Sequence, residues 1–459
     1  MYEINFDNKQ HVHFTGIGGI SMSGLAEILL SRGFTVSGSD SSESKLTRRL
    51  VKHGAKISYQ QVASNITSDV DVVVYTAAVK EDNPELVSAR AKNIPTLTRA
   101  EFLGQIMKNF NTAIGVSGTH GKTTTTSMIS QILIQNNSDP TILVGGIMKS
   151  IGGNIHIGKS DLMITEACEY TNSFLSFFPT MEVVLNICED HMDFFKDIDD
   201  IRNSFKKYTE LLPEDGTLII NGAIDDLDFF TRDLKCNVAT FGFDASYTYS
   251  IANIEYNNFA CSKFDILYKG EKIGRVHLKV PGEHNALNAI AAIAACRELG
   301  ISMDTIKAGL TIYTGTDRRF QYKGVFNKTS VIDDYAHHPD EIRATLTTAK
   351  DYPHNHTWCV FQPHTYTRTK AFLHDFATSL SLADHVILAP IYAARETDTL
   401  GISSLTLLEE LKALNVDAYY FETFEEIEEF IKNNVINDDL LITMGAGDIV
   451  LVGEHLVSH

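Results

Sequence analysis

The chain has 459 residues, room for about three domains of ordinary size, and its 44% hydrophobic and 21% charged residues exclude a disordered or collagen-like chain. Its 39 Lys and Arg against 58 Asp and Glu leave a formal charge of −19, which repels nucleic acid and anionic membrane and confines any bound phosphate to a locally basic pocket. The six cysteines form no C-x-x-C pair and the 17 histidines no zinc spacing, so free thiols in a reducing cytoplasm and structural histidines are expected. The first ten residues carry charges and no apolar run approaches the roughly 20 residues of a membrane helix, so neither a secretory signal nor a span is expected.

Short β-branched or apolar runs alternate with longer helical patterns, which predicts α/β layers with mostly parallel sheets. The first set of strands is expected at 11–15, 34–37 and 70–76, and the second at 112–117, 161–165, 182–187, 217–221 and 238–241. A third set is expected at 329–333, 357–361, 385–388, 418–421 and 440–444. A polar stretch at 108–111 and a glycine-containing break at 313–316 set the expected domains at 1–107, 108–313 and 314–459. The acidic run 422–434 spaces Phe424, Ile427, Phe430 and Ile431 for one face of an amphipathic helix.

The first glycine loop, Gly16, Gly18 and Gly19, lies between a strand and a helical pattern, where backbone N–H groups and the helix N-terminus suit a pyrophosphate. Asp40 follows the next strand, at a position suited to a ribose hydroxyl, but Ser21 stands where a dinucleotide fingerprint has Gly or Ala. A nicotinamide cofactor, another nucleotide diphosphate and a purely structural turn all remain open at this point.

The second loop is more specific. Gly118, Thr119, His120, Gly121, Lys122, Thr123 and Thr124 join a strand to a helix, so that backbone N–H groups and Lys122 face phosphate oxygens and Thr123 offers a hydroxyl to Mg²⁺. Glu166 and His191 follow the next two strands, on the sheet edge that carries this loop, and are metal candidates beside Thr123. Further on, His284, Asn285 and Asn288 open an Ala-rich helix and suit an adenine ring, with a helix cap as the alternative. Arg318 and Arg319 suit phosphate, and Arg368 suits a carboxylate through paired hydrogen bonds.

In order, Gly16-Ile-Gly-Gly-Ile-Ser-Met-Ser-Gly, Gly118-Thr-His-Gly-Lys-Thr-Thr-Thr, Asp190-His-Met-Asp, His284-Asn-Ala-Leu-Asn, Asp333-Asp-Tyr-Ala-His-His-Pro and Phe361-Gln-Pro-His-Thr-Tyr-Thr-Arg-Thr resemble the Mur ligases of bacterial peptidoglycan synthesis. The resemblance spans essentially the whole chain. It implies a three-domain α/β architecture, with Rossmann-like N- and C-terminal domains around a central P-loop ATPase domain. The implied reaction is ATP-dependent ligation of L-alanine to the lactyl carboxylate of UDP-N-acetylmuramate through an acyl phosphate, in the cytoplasm.

ATP would be the co-substrate and Mg²⁺ or Mn²⁺ the metal. No nucleic acid or membrane partner is implied, and the expected state is a monomer or weak homodimer. By the same resemblance Gly16, Gly18, Gly19, Ser21, Asp40, Glu169 and Ser173 would bind the UDP sugar. Lys122 would contact the transferred phosphate, with Thr123, Glu166 and His191 around the metal. His284, Asn285 and Asn288 would lie by adenine, Arg318 and Arg319 by the phosphates, and Tyr335, His337, His364 and Arg368 around L-alanine. The His364-x-Tyr366-Thr-Arg368 run favours a single amino acid over a ready-made tripeptide as acceptor.

Overall fold

The computed structural model describes residues 2–394, 396–435 and 438–458, so the chain ends at Met1 and His459 lie outside the described residues. The described chain builds three sheets in sequence order. The first is wholly parallel, in the order Lys56–Ser58, Thr35–Ser39, His11–Thr15, Val72–Tyr75, Thr96–Thr98. Its central strand is buried at four of five positions, because helices cover both faces of a parallel sheet.

The second sheet has ten strands. Its parallel centre runs Asn237–Gly242, Thr217–Asn221, Met181–Val184, Thr112–Ser117, Leu162–Glu166, Thr141–Met148. Tyr249–Tyr256 continues it in parallel, and Cys261–Tyr268 and Glu271–Pro281 extend that edge antiparallel; Gly153–His156 closes the opposite edge. The sequence predicts five strands here. The additional edge strands alternate apolar residues with charges such as Glu255, Lys263 and Arg275, and so lack the continuous apolar run that marks the centre. Helix Glu283–Glu298 packs against helix Lys122–Gln135, and its run of alanines from Ala286 to Ala295 permits that close approach.

The third sheet runs Gln321–Phe326, Thr329–Asp334, Leu440–Met444, Thr357–Phe361, His385–Leu388, Asp417–Tyr420, parallel except for its first strand. The acidic run forms helix Phe424–Asn434, which buries Ile427 and Ile431 and is opened by a Thr423–Glu426 capping box.

The two seams between the lobes differ in chemistry. Phe102 and Leu103 of the first lobe share one apolar core with Phe174, Phe205 and Tyr208 of the second. Helix Arg99–Met107 lies so close there that a Cβ on Gly104 would stand 1.9 Å from the Ser176 carbonyl oxygen. The third lobe keeps its apolar clusters to itself and meets the second mainly through polar side chains, with one aromatic edge contact between Phe259 and Tyr352 at 5.4 Å. A polar seam of this kind separates more readily than a shared core.

Candidate active site

The phosphate-type loop is shaped by two glycines and one asparagine. Strand Thr112–Ser117 ends at Gly118 (φ 135°), and Gly121 (φ 87°) opens helix Lys122–Gln135. Both take left-handed backbone angles that cost a side chain dearly. A Cβ on Gly121 would also stand 2.5 Å from Asn288 Oδ1, so the loop touches the first turns of helix Glu283–Glu298. Asn186 staples the loop: Oδ1 accepts from His120 N–H at 2.8 Å, Nδ2 donates to the His120 carbonyl at 3.0 Å, and its own carbonyl accepts from Thr119 N–H at 3.1 Å.

Lys122 is nearly buried behind this loop. Its ammonium donates to the Gly118 carbonyl at 2.5 Å, the Thr119 carbonyl at 3.1 Å and Glu169 Oε2 at 3.0 Å. Three acceptors match its three N–H bonds, so a phosphate must compete for the ammonium already held there. Burial opposes the charge, but Glu169 foremost keeps the Lys122 ammonium more strongly protonated than an ordinary lysine. Glu169, expected at the sugar nucleotide, is therefore placed at the lysine.

Glu166 ends strand Leu162–Glu166, and its Oε1 accepts from Gly145 N–H at 2.5 Å. Thr123 lies against the adjacent Gly146, where a Cβ would come within 3.1 Å of its methyl group. His191, in a left-handed conformation (φ 55°), stacks on Tyr170 with ring centroids 4.5 Å apart. Its Nε2 lies 3.8 Å from Glu169 Oε1 and 3.7 Å from Asp190 Oδ2. Burial keeps the His191 imidazole below its usual pKa, hence uncharged and able to ligate. A hydroxyl, a carboxylate and a neutral imidazole form a donor set that fits a divalent cation such as Mg²⁺ or Mn²⁺.

Two openings flank this centre on the first-lobe side. Gly16, Gly18, Gly19 and Asp40 line a cleft of about 970 Å³. Asp40 Oδ2 accepts from Gly18 N–H at 2.7 Å and Oδ1 from Ser41 N–H at 2.8 Å, so its carboxylate shapes the loop as well as facing the cleft. Ser21 faces a second cavity, of about 190 Å³, shared with Glu166, Ser173 and Arg99. The first helix thus carries the glycine cleft toward Glu166. Arg99 was not singled out in the sequence, where it reads as an ordinary residue at a helix start.

On the other side, His120, Gly121, His284, Asn285, Asn288 and Arg319 line a cavity of about 350 Å³. Asn285 Nδ2 donates to the Pro281 carbonyl at 2.7 Å and Asn288 Nδ2 to Asn285 Oδ1 at 3.1 Å, which orients both amides. Burial, then the Arg319 charge, pushes His284 down to about 4. The paired arginines part company. Arg318 donates to Asp333 Oδ2 at 3.2 Å and to the Gly445 carbonyl at 2.6 Å and stays with the third sheet, while Arg319 lines the cavity. Asp334, which accepts from Phe320 N–H, Ala336 N–H and the Thr345 hydroxyl, is pushed up to about 6 by burial.

His191, His337, His364 and Arg368 line a cleft of about 780 Å³ between the second and third lobes. Tyr335 stands behind it, its ring edge-on to His337 at 5.3 Å and under the Arg318 and Arg319 guanidinium groups at 4.9 and 5.3 Å. Burial, then the charges of His337 and Arg368, pushes His364 down to about 4. Glu341, which the sequence reading missed, is a partly buried hub: Oε1 lies 3.3 Å from His120 Nδ1 and 3.8 Å from Arg319, and Oε2 accepts from His337 N–H at 3.1 Å. Its signal, an acidic residue in the first turn after His-His-Pro, was indistinguishable from a favourable helix-dipole charge.

Three family models match in order: the Mur ligase family, catalytic domain, over residues 11–111; the Mur ligase middle domain over 116–296; and the Mur ligase, glutamate ligase domain over 318–447. The chain is 59% identical to a UDP-N-acetylmuramate–L-alanine ligase of Lachnospira eligens and 56% to that of Agathobacter rectalis, each over 100% of both chains. Among solved structures, a UDP-N-acetylmuramate-alanine ligase from Thermotoga maritima superposes with a TM-score of 0.79 at 32% identity, over 98% of each chain. A murein peptide ligase from Psychrobacter arcticus shares the fold, with a TM-score of 0.71 at 23% identity over 98% of each chain.

Proposed function

The chain belongs to the Mur ligase family, and from that premise we propose that it joins L-alanine to the lactyl carboxylate of UDP-N-acetylmuramate, using ATP, as a cytoplasmic step of peptidoglycan precursor synthesis. The observation that carries the reading is the pair of relatives above 50% identity over their full length, both named for this reaction. Among the described residues no helix is long and apolar enough to cross a membrane.

A carboxylate is a poor acyl donor because its charge repels nucleophiles and oxide cannot leave. Transfer of the γ-phosphoryl of ATP to it gives an acyl phosphate. The alanine ammonium gives up one proton to become a nucleophile, the amine attacks the acyl carbon, and the tetrahedral intermediate loses a second proton as it collapses to the amide with phosphate as leaving group. The first step brings two anions together, so charge neutralisation and positioning carry most of the catalysis. In this reading residues 1–107 hold the sugar nucleotide, with Gly16, Gly18 and Gly19 on its pyrophosphate, and Arg99 and Ser21 guide the muramyl end toward Glu166.

Lys122 meets the transferred phosphate, and Glu169 aims it. Thr123, Glu166 and His191 would hold Mg²⁺, whose charge, when bound, offsets that of the phosphate oxygens. The nucleotide base lies among His284, Asn285 and Asn288 within residues 108–313, with Arg319 toward its phosphates. Residues 314–459 bring Arg368, His337 and His364 to the amino acid. An uncharged His364 adds no positive charge against the alanine ammonium, while Arg368 offers its guanidinium to the carboxylate.

The test is mass spectrometry of products formed from UDP-N-acetylmuramate, ATP and an equimolar mixture of L-alanine, glycine, L-serine and a muropeptide tripeptide. The expected product is the L-alanyl adduct; predominance of the tripeptide adduct would replace this reading with a recycling ligase.

A further inference from the structure

A cluster of metal-ligating side chains lies at the polar seam, distinct from the Thr123, Glu166 and His191 donor set. One donor atom each from His120, His338 and Asp340 lies within 4.8 Å of the others, and the two imidazole rings stand 4.8 Å apart at 43°. His120 belongs to the phosphate loop of the second lobe. His338 and Asp340 flank the start of helix Pro339–Lys350 in the third.

The hydrogen bonds around the His120 imidazole orient it as metal ligands are oriented. His120 Nδ1 sits 3.3 Å from Glu341 Oε1, while its Nε2 is buried and has no hydrogen-bond partner among the described residues. With its proton on Nδ1, facing the carboxylate, the Nε2 lone pair is orphaned. His338 Nε2 donates to the Glu189 carbonyl at 3.0 Å, and its Nδ1, 3.9 Å from Asp340 Oδ2, accepts the Asp340 N–H at 3.3 Å as the cap of helix Pro339–Lys350, a long hydrogen bond that a cation on Nδ1 would replace. An imidazole that donates one N–H to a carboxylate or carbonyl and presents the other nitrogen is the usual outer-shell arrangement of metal-binding histidines.

We propose that His120, His338 and Asp340 form a binding site for a zinc-class divalent cation, which ties the phosphate loop to the third lobe. Two imidazole nitrogens and one carboxylate oxygen are the donor set of three-ligand zinc sites, whose fourth position is left to water or another ligand. Bond lengths of about 2.0–2.2 Å place neighbouring donors about 3.3 Å apart, so the present spacing must close by about 1.5 Å. The half-exposed carboxylate of Asp340 is the side chain best placed to move. Mg²⁺ favours oxygen ligands and near-octahedral geometry, and is not the ion this cluster selects. The inference uses no substrate assignment, so it stands or falls apart from the ligase reading.

The experiment titrates the full chain, stripped of metal by chelation and free of Mg²⁺ and nucleotide, with ZnCl₂ by equilibrium dialysis and with CoCl₂ by visible absorption. The expected result is one equivalent bound, with Co²⁺ bands of a low-coordinate site, a melting temperature raised by Zn²⁺, and His191→Asn binding like the unmodified chain. Asp340→Asn, whose position is half-exposed and leaves the fold intact, should weaken binding at least about tenfold, and His338→Gln should abolish it. Absence of stoichiometric Zn²⁺, equal binding by Asp340→Asn, or loss in His191→Asn with retention in His338→Gln would overturn the proposal.

Discussion

Arg368 of the third lobe donates from Nη2 to Asp190 Oδ1 of the second at 3.0 Å, and both side chains are almost out of solvent. Burial pushes the Asp190 carboxyl upward, but Arg368 foremost, helped by the His191 backbone N–H at 2.7 Å, more than offsets it and holds the group well below the usual carboxylate range. The pair is thus a charged bolt across a seam that has no shared apolar core.

Arg368→Ala leaves Asp190 buried without its partner. If the seam stayed closed this would cost about 3–5 kcal/mol, so opening the seam to water is the cheaper response. Small-angle X-ray scattering of the ligand-free variant should show a larger radius of gyration than the unmodified chain. Identical dimensions would mean that other contacts hold the lobes.

Lys122 and Glu169 are separable by kinetics. Lys122→Ala should keep its circular dichroism spectrum and lose alanine-dependent ADP release, because it removes the ammonium held on the loop carbonyls of Gly118 and Thr119. Glu169→Gln removes the anion that aims Lys122 and should lower kcat by about 10- to 100-fold, or about 1.4–2.7 kcal/mol, with little change in the KM for UDP-N-acetylmuramate. A raised KM for the sugar nucleotide at unchanged kcat would return Glu169 to the sugar site.

Buried titrating groups give the stability a pH dependence of known sign. His284 and His364 are held near 4, against 6.5 for the free group, so between those values the unfolded chain takes up protons that the folded chain refuses. Stability from these two groups therefore rises with pH across that window. Asp334, raised from 3.8 to about 6, works in the opposite direction between its two values, its contribution falling as pH rises. Urea midpoints at pH 5 and 7 should differ less in His284→Gln and more in Asp334→Asn than in the unmodified chain.

Gly104→Ala tests the apolar seam. The added methyl would meet the Ser176 carbonyl at 1.9 Å, which backbone cannot relieve without moving helix Arg99–Met107 off the second lobe. A loss of about 1–3 kcal/mol in urea denaturation is expected, the range of overpacked cores. An unchanged midpoint would show the first seam to be compliant.

Most central strands were legible because burial on both faces writes continuous apolar runs such as Leu440–Met444 and His385–Leu388 into the sequence; Thr141–Met148 was not, since Gly145 and Gly146 interrupt its apolar run. Edge strands such as Glu271–Pro281 were not, since their solvent face carries Lys, Arg and Glu at alternate positions. Motifs at strand ends located the phosphate loop and the histidine clusters, but pairing between lobes was invisible. Nothing in Arg318-Arg319 says that one guanidinium turns to Asp333 and the other to the cavity lined by His284 and Asn288. Glu169 likewise gave no sign that Lys122 would claim it. Those partners come from tertiary geometry, and the spacing of each motif is compatible with either outcome.

The acyl phosphate is the step on which the account turns, and isotope transfer reads it directly. UDP-N-acetylmuramate carrying two ¹⁸O atoms in its lactyl carboxylate is incubated with the enzyme, ATP, Mg²⁺ and L-alanine, and both products are weighed by mass spectrometry. The account predicts one ¹⁸O in the released phosphate and one in the new amide. Unlabelled phosphate, with the alanyl product formed, would contradict it.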